Sequence, residues 1–255
     1  LIALASHRAI AGRQNSTMTR LFAPVDIEVD ISRLSDSEHR ALSHIIAAAR
    51  VMDSIFLQQV WAGNPSMLLS LLDDETAAGA ARLDFFLLNK GPWSRIENDK
   101  AFVRGAPQKP ASANFYPANA TKEDIETWFK QLEGQAQTEA TGFFTTIRRT
   151  RTGALTSVPY SQEYQGPLAI AAAPLRLAAR ATSDPTLPRY LETRATAFGT
   201  NDYFESDLAW MELNSTIEPT IGPYEVYEDR WFNYKAAFEA FVTIRDNTET
   251  ANLQR

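Results

Sequence analysis

One stretch of the sequence sets chemically capable side chains close together: Ile221-Gly222-Pro223-Tyr224-Glu225-Val226-Tyr227-Glu228-Asp229-Arg230-Trp231-Phe232. If Tyr224 to Tyr227 is extended, Glu225 and Tyr227 project from one face, a carboxylate beside a phenol hydroxyl. The carboxylate could pair with a free α-ammonium group of a peptide. The hydroxyl could donate a hydrogen bond to the oxygen that gains negative charge as an acyl group is hydrolysed. The same residue types also suit a core, with the tyrosine packed and its hydroxyl satisfied and the glutamate paired with Arg230 or another base. On the residues alone both readings stand.

Other routes to chemistry are poorer. There are three histidines. His39 and His44 stand five apart on one expected helix, where a shared metal wants four, and His7 lies near the start. No His-Glu-x-x-His occurs, and Asp73-Asp74-Glu75 and Asp26/Glu28/Asp30 read as a helix end and a solvated strand face rather than as an all-carboxylate cation site. The sequence has no cysteine, which excludes thiol catalysis, disulfides and Cys-ligated zinc within the chain and suits the cytosol or the periplasm equally. Its 11 glycines never form a phosphate-binding loop, and a Gly-x-Ser-x-Gly elbow is absent. A net charge of −6 provides no broad positive field for nucleic acid. The most apolar internal run, Leu168 to Leu177, contains Pro174 and Arg176 and is too short to span a membrane. Leu1 to Ser6 fits the tail of an export signal.

The elements that must position the segment follow from periodicity. An arm of residues 1–34 should contain one short strand, because Val25 to Ile31 alternates apolar and acidic side chains. Residues 35–255 should form a single lobe. Ser35 and Glu38 have capping-box spacing, and Leu42, Ile45, Ile46, Ala49, Met52, Phe56 and Val60 then mark a long helix up to Gly63. A second helix starts near Ser66, and Lys90 to Pro117 is a structured loop rich in Gly and Pro. Thr121 and Asp124 cap a helix that Gly134 closes. Residues 143–148 and 155–160 flank Thr152-Gly153 as a hairpin. Helices are expected at Leu168–Arg180, Pro185–Ala197, Asp202–Leu213 and Lys235–Thr243, with a strand inside Ile217–Phe232. The fold class is α+β, mainly helical, with a small mixed or antiparallel sheet or partial barrel.

The Ile221–Phe232 segment, with Tyr234 to Val242 after it, resembles the dipeptidyl peptidase III family of zinc exopeptidases in its bacterial branch. Three earlier stretches resemble the same branch in the same order: Ala48 to Trp61, Asn114-Phe115-Tyr116-Pro117-Ala118-Asn119-Ala120-Thr121, and Val158-Pro159-Tyr160-Ser161. The resemblance implies a peptide-binding lobe of helices and β-barrel, facing a helical lobe that holds zinc through His-Glu-x-x-Gly-His. Neither that motif nor the later zinc-binding glutamate is present here, so the metal is expected downstream of Arg255, with no cofactor held by this chain itself. By motif position, Glu225 matches the glutamate that holds the substrate amino terminus, and Tyr227 the tyrosine that stabilises the hydrated carbonyl. The segment departs from eukaryotic members around Asp229-Arg230-Trp231-Phe232. The implied partners are an oligopeptide and a carboxy-terminal zinc lobe of the same protein, without nucleic acid or membrane. Uncovered apolar surface would favour a homodimer. An α+β peptide-binding or protein-interaction module without catalysis is the alternative.

Overall fold

The structure, a computed structural model, describes residues 22, 23 and 25–253. Leu1 to Ser6 and His7 lie outside them. The described residues form two compact units: Phe56–Asn114 with the described residues before Glu28, and Glu28–Ile55 with residues 115–253.

Helix α1, Asp36–Val60, contributes to both units. It begins as the spacing requires: the Ser35 N–H donates to Glu38 Oε2 at 2.7 Å, and the Glu38 N–H donates to Ser35 Oγ at 3.3 Å. Its buried stripe is Ala41, Ile45, Ala48, Met52 and Ile55. Ile46, expected on that stripe, is 37% exposed. The stripe runs through alanines, whose small side chains allow close approach, and leaves the bulkier Ile46 at its margin.

In the first unit, helices α2 (Asn64–Leu72) and α3 (Ala77–Asn89) precede a short antiparallel pair, β1 (Trp93–Ser94) and β2 (Lys100–Ala101). Leu57, Leu68, Leu71, Leu83 and Phe86 form the core. The Gly/Pro-rich loop is pinned from within and from α2: Trp93 Nε1–H donates to the Pro107 carbonyl at 2.7 Å, and buried Asn64 of α2 donates to the Lys90 carbonyl at the start of the loop as well as to that of Leu57.

The second unit contains helix α4 (Lys122–Gln131), α5 (Gly134–Thr141), hairpin strands β3 (Thr145–Arg149) and β4 (Leu155–Pro159), α6 (Tyr160–Glu163), α7 (Gln165–Ala181), α8 (Leu187–Thr200), α9 (Phe204–Met211), strands β5 (Ile217–Glu225) and β6 (Ala237–Ile244), and α10 (Asn247–Leu253). Thr121 and Asp124 complete the expected capping box of α4. The β3–β4 hairpin pairs Thr145 with Pro159 through Arg149 with Leu155, and Gly153 at φ 88° makes the turn. Alanines 171, 172, 178 and 179 of α7 are buried and let α8 pack closely, with Tyr190, Leu191, Arg194 and Phe198 turned inward. Phe238 of β6 meets Tyr160, Tyr164 and Phe198 at ring-centroid distances of 5.6, 6.0 and 6.2 Å.

The α+β class is as expected: nearly half the chain is helical, and each of the three sheets among the described residues is an antiparallel pair. Three local expectations are corrected. Val25–Ile31 forms no strand; Val25, Ile27, Val29 and Ile31 are 76, 87, 55 and 41% exposed. Alternation alone does not make a strand without a ladder partner. Lys235–Thr243 is not a helix: from Ala237 it is β6, paired along β5. The alanines there favour helix by propensity, but pairing by the Phe241-Val242-Thr243-Ile244 end and burial of Phe238 override it. Gly134 does not close α4, which ends at Gln131; at φ 56° it opens α5.

Candidate functional site

Strand β5 runs against β6 from Ile217 opposite Ile244 to Pro223 opposite Phe238, then slips: Glu225, not Tyr224, faces Ala237. This β-bulge at Tyr224 bends the strand just before the candidate carboxylate, a device that re-aims side chains at sheet ends. Glu225 ends the strand and is exposed. Glu239 of β6 is half-buried. Burial raises its carboxyl pKa, and the neighbouring charge of Glu225 raises it further, the mark of two carboxylates set close together at this end of the hairpin.

A buried cation supports the bulge from beneath. Arg194 of α8 is fully buried, and its Nη2 donates to Asp207 at 2.6 Å. Its guanidinium carbon lies 5.5, 5.3 and 5.3 Å from the ring centroids of Tyr190, Tyr203 and Tyr224. Gly222, at φ 154°, makes room: a Cβ there would sit 2.7 Å from Arg194 Nη1. The Ile221 N–H donates to the Tyr190 hydroxyl at 3.3 Å, tying α8 to β5 directly. Burial is the largest cause that pushes all three phenols above the ordinary range.

Beyond Glu225 the backbone leaves the sheet. The Asp229 N–H donates to the Val226 carbonyl at 3.1 Å, closing a turn that carries Tyr227, 77% exposed. The Asn233 N–H donates to the Asp229 carbonyl at 3.0 Å. The Asp229 side chain is fully buried and gathers the loop: Oδ1 accepts from the amides of Trp231 and Phe232, both at 3.2 Å, and Oδ2 from the Tyr234 amide at 2.9 Å. Oδ2 also accepts from the Tyr116 hydroxyl at 2.8 Å. The Tyr116 ring packs on Trp231 and Phe232, with centroids 5.3 and 5.6 Å away. Burial, followed by the charge of Asp229, drives the Tyr116 phenol pKa far up, so it remains a donor. Next in sequence, fully buried Lys235 donates from Nζ to the carbonyls of Ala140 and Gly142 and to Thr145 Oγ1, at 2.7, 2.9 and 2.8 Å. Burial pushes its pKa down to about 7, and the charge of Asp229 opposes the shift.

Both sequence-selected residues are therefore at the surface, but the extended stretch ends at Glu225 and Tyr227 belongs to a turn, so a shared strand face does not relate them. Asp229, Tyr116, Arg194 and Lys235 were not selected as site residues. Lys235, directly before Ala236-Ala237-Phe238, carried a local signal, an ionisable group at the edge of an apolar run, whereas Asp229 between Glu228 and Arg230 and Arg194 among Glu192, Thr193 and Thr196 have the sequence surroundings of solvated positions. His39 and His44 are half-exposed. Among the described residues no three His, Cys, Asp or Glu side chains are grouped to hold a metal ion, and no helix is long and apolar enough to cross a membrane.

Comparison with solved structures gives dipeptidyl-peptidase III from Corallococcus sp. strain EGB at 58% identity and a TM-score of 0.91, covering 92% of this chain and 44% of that one. This chain has the fold of the matched part of a bacterial dipeptidyl-peptidase III. The protein of that type from Caldithrix abyssi matches at 45% identity and a TM-score of 0.89, over 93% of this chain and 45% of that chain. The dipeptidyl-peptidase III resemblance drawn from the sequence is borne out. The chain spans less than half the length of either structure. Nudix hydrolase 3 of Arabidopsis thaliana is 35% identical over 282 aligned residues, which is 91% of this chain but 36% of that protein. That name describes a different hydrolase, and the match occupies little more than a third of it. No family model matches the chain.

Proposed function

We propose that this chain is the peptide-binding part of a longer dipeptidyl-peptidase III-like zinc exopeptidase. Glu225 pairs with the α-ammonium group of an oligopeptide, and the Tyr227 hydroxyl donates to the carbonyl oxygen as it becomes an oxyanion. The zinc and the attacking water belong to sequence outside this chain. The observation that carries the reading is the 58% identity to a bacterial dipeptidyl-peptidase III over 92% of the chain, together with exposed Glu225 and Tyr227 at the bulged end of β5. The electrostatics support it: an ammonium group beside Glu225 would relieve the repulsion between Glu225 and Glu239.

The test uses the longer protein and two oligopeptides that differ only in whether the amino terminus is free or acetylated. Cleavage should require the free amine, and Glu225→Gln should raise KM for the free-amine peptide about tenfold or more, the worth of a charge-assisted hydrogen bond. Equal cleavage of both peptides, or an unchanged KM, would contradict the assignment of Glu225.

A further inference from the structure

The Asn114-Phe115-Tyr116-Pro117 stretch helped to carry the family resemblance, yet nothing in the proposed chemistry uses it. Its tyrosine bonds across 113 positions of sequence to the carboxylate at the centre of the loop that presents Tyr227. We propose that Tyr116 and Asp229 form a clamp that sets the position of Tyr227, making both positioning residues of the site; this rests on the reading of Tyr227 given above.

The geometry supports each link. Tyr227 lies inside the turn closed by the Asp229 N–H on the Val226 carbonyl, so the Asp229 backbone fixes one end of that turn. The Asp229 side chain fixes the far limb by accepting from the amides of residues 231, 232 and 234. Those three bonds are local and hold the loop to itself. The Tyr116 hydroxyl attaches the loop to a distant part of the chain, and it does so on a fully buried carboxylate. A charged acceptor makes this bond stronger than a neutral pair. Tyr227 itself is exposed and has little packing of its own to hold it. An oxyanion donor must be held to a fraction of an ångström, because a misplacement of about 1 Å can cost on the order of 100-fold in rate.

The experiment is a double-variant cycle in the longer protein. Tyr116→Phe keeps the ring that packs on Trp231 and Phe232 and removes only the donor. It should lower kcat about tenfold while leaving KM within about twofold, because ground-state binding by Glu225 is untouched. In a Tyr227→Phe background the same substitution should cost nothing further, since Tyr116 acts only through the hydroxyl already removed. A second readout needs no catalysis: hydrogen exchange at the amides of Trp231, Phe232 and Tyr234 should quicken in Tyr116→Phe. An unchanged kcat, losses that multiply in the double variant, or unchanged exchange at those amides would overturn the clamp. If Tyr227→Phe alone leaves turnover intact, the reading of Tyr227 fails and the clamp's role in catalysis fails with it. If Tyr227→Phe is slow but Tyr116→Phe is not, only the clamp fails.

Discussion

Lys235 can be tested through the pH dependence of folding stability. Its ammonium is fully buried among the carbonyls of Ala140 and Gly142 and the Thr145 hydroxyl, three acceptors for three N–H groups. Burial nonetheless lowers its pKa from 10.5 to about 7. Between those values the unfolded chain keeps a proton that the folded chain has released, so folding stability rises with pH across this window. Below about 7 both states hold the proton, and the lysine's contribution is flat and at its least favourable. The slope approaches about 1.4 kcal/mol per pH unit, giving a gain on the order of 2 kcal/mol between roughly pH 7 and 9 from this residue. Lys235→Met removes the titrating group while keeping an apolar stem of similar length. Urea unfolding of both proteins at several pH values isolates the effect, because every other titration cancels in the difference. The wild-type stability should climb relative to Lys235→Met by about that amount. Parallel profiles would refute the argument and would mean that the three acceptors hold the ammonium charged throughout.

Other expectations follow from the same packing. Gly222→Ala places a Cβ 2.7 Å from Arg194 Nη1 at a φ few side chains adopt, and should cost about 2 kcal/mol or more in thermal unfolding. Asp229→Ala leaves the Tyr116 hydroxyl and three amides without their acceptor, for a loss of about 3 kcal/mol or more by denaturant titration. Thr121→Ala removes one half of the α4 capping box and should cost about 1 kcal/mol by the same method.

Much of the fold was legible because it is written locally. The caps of α1 and α4 and the Gly153 hairpin depend on residues three or four apart, and each formed where the spacing placed it. What misled was information that exists only between distant segments. Val25 to Ile31 has the alternation of a strand but no partner, whereas β6 has the composition of a helix and takes its form from β5. The candidate site divides the same way. Glu225 and Tyr227 could be picked from one short segment. The bulge at Tyr224, the Arg194 cage and the Tyr116–Asp229 bond depend on contacts across tens of residues, and no local pattern encodes them.

The central claim is that Tyr227 acts on the reaction rather than on the fold. Its side chain is 77% exposed, so removing the hydroxyl should leave thermal stability within about 0.5 kcal/mol of wild type. The decisive measurement is the turnover of Tyr227→Phe in the longer protein, read beside its melting temperature. We expect turnover to fall about 100-fold or more with melting unchanged; turnover equal to wild type would contradict the account.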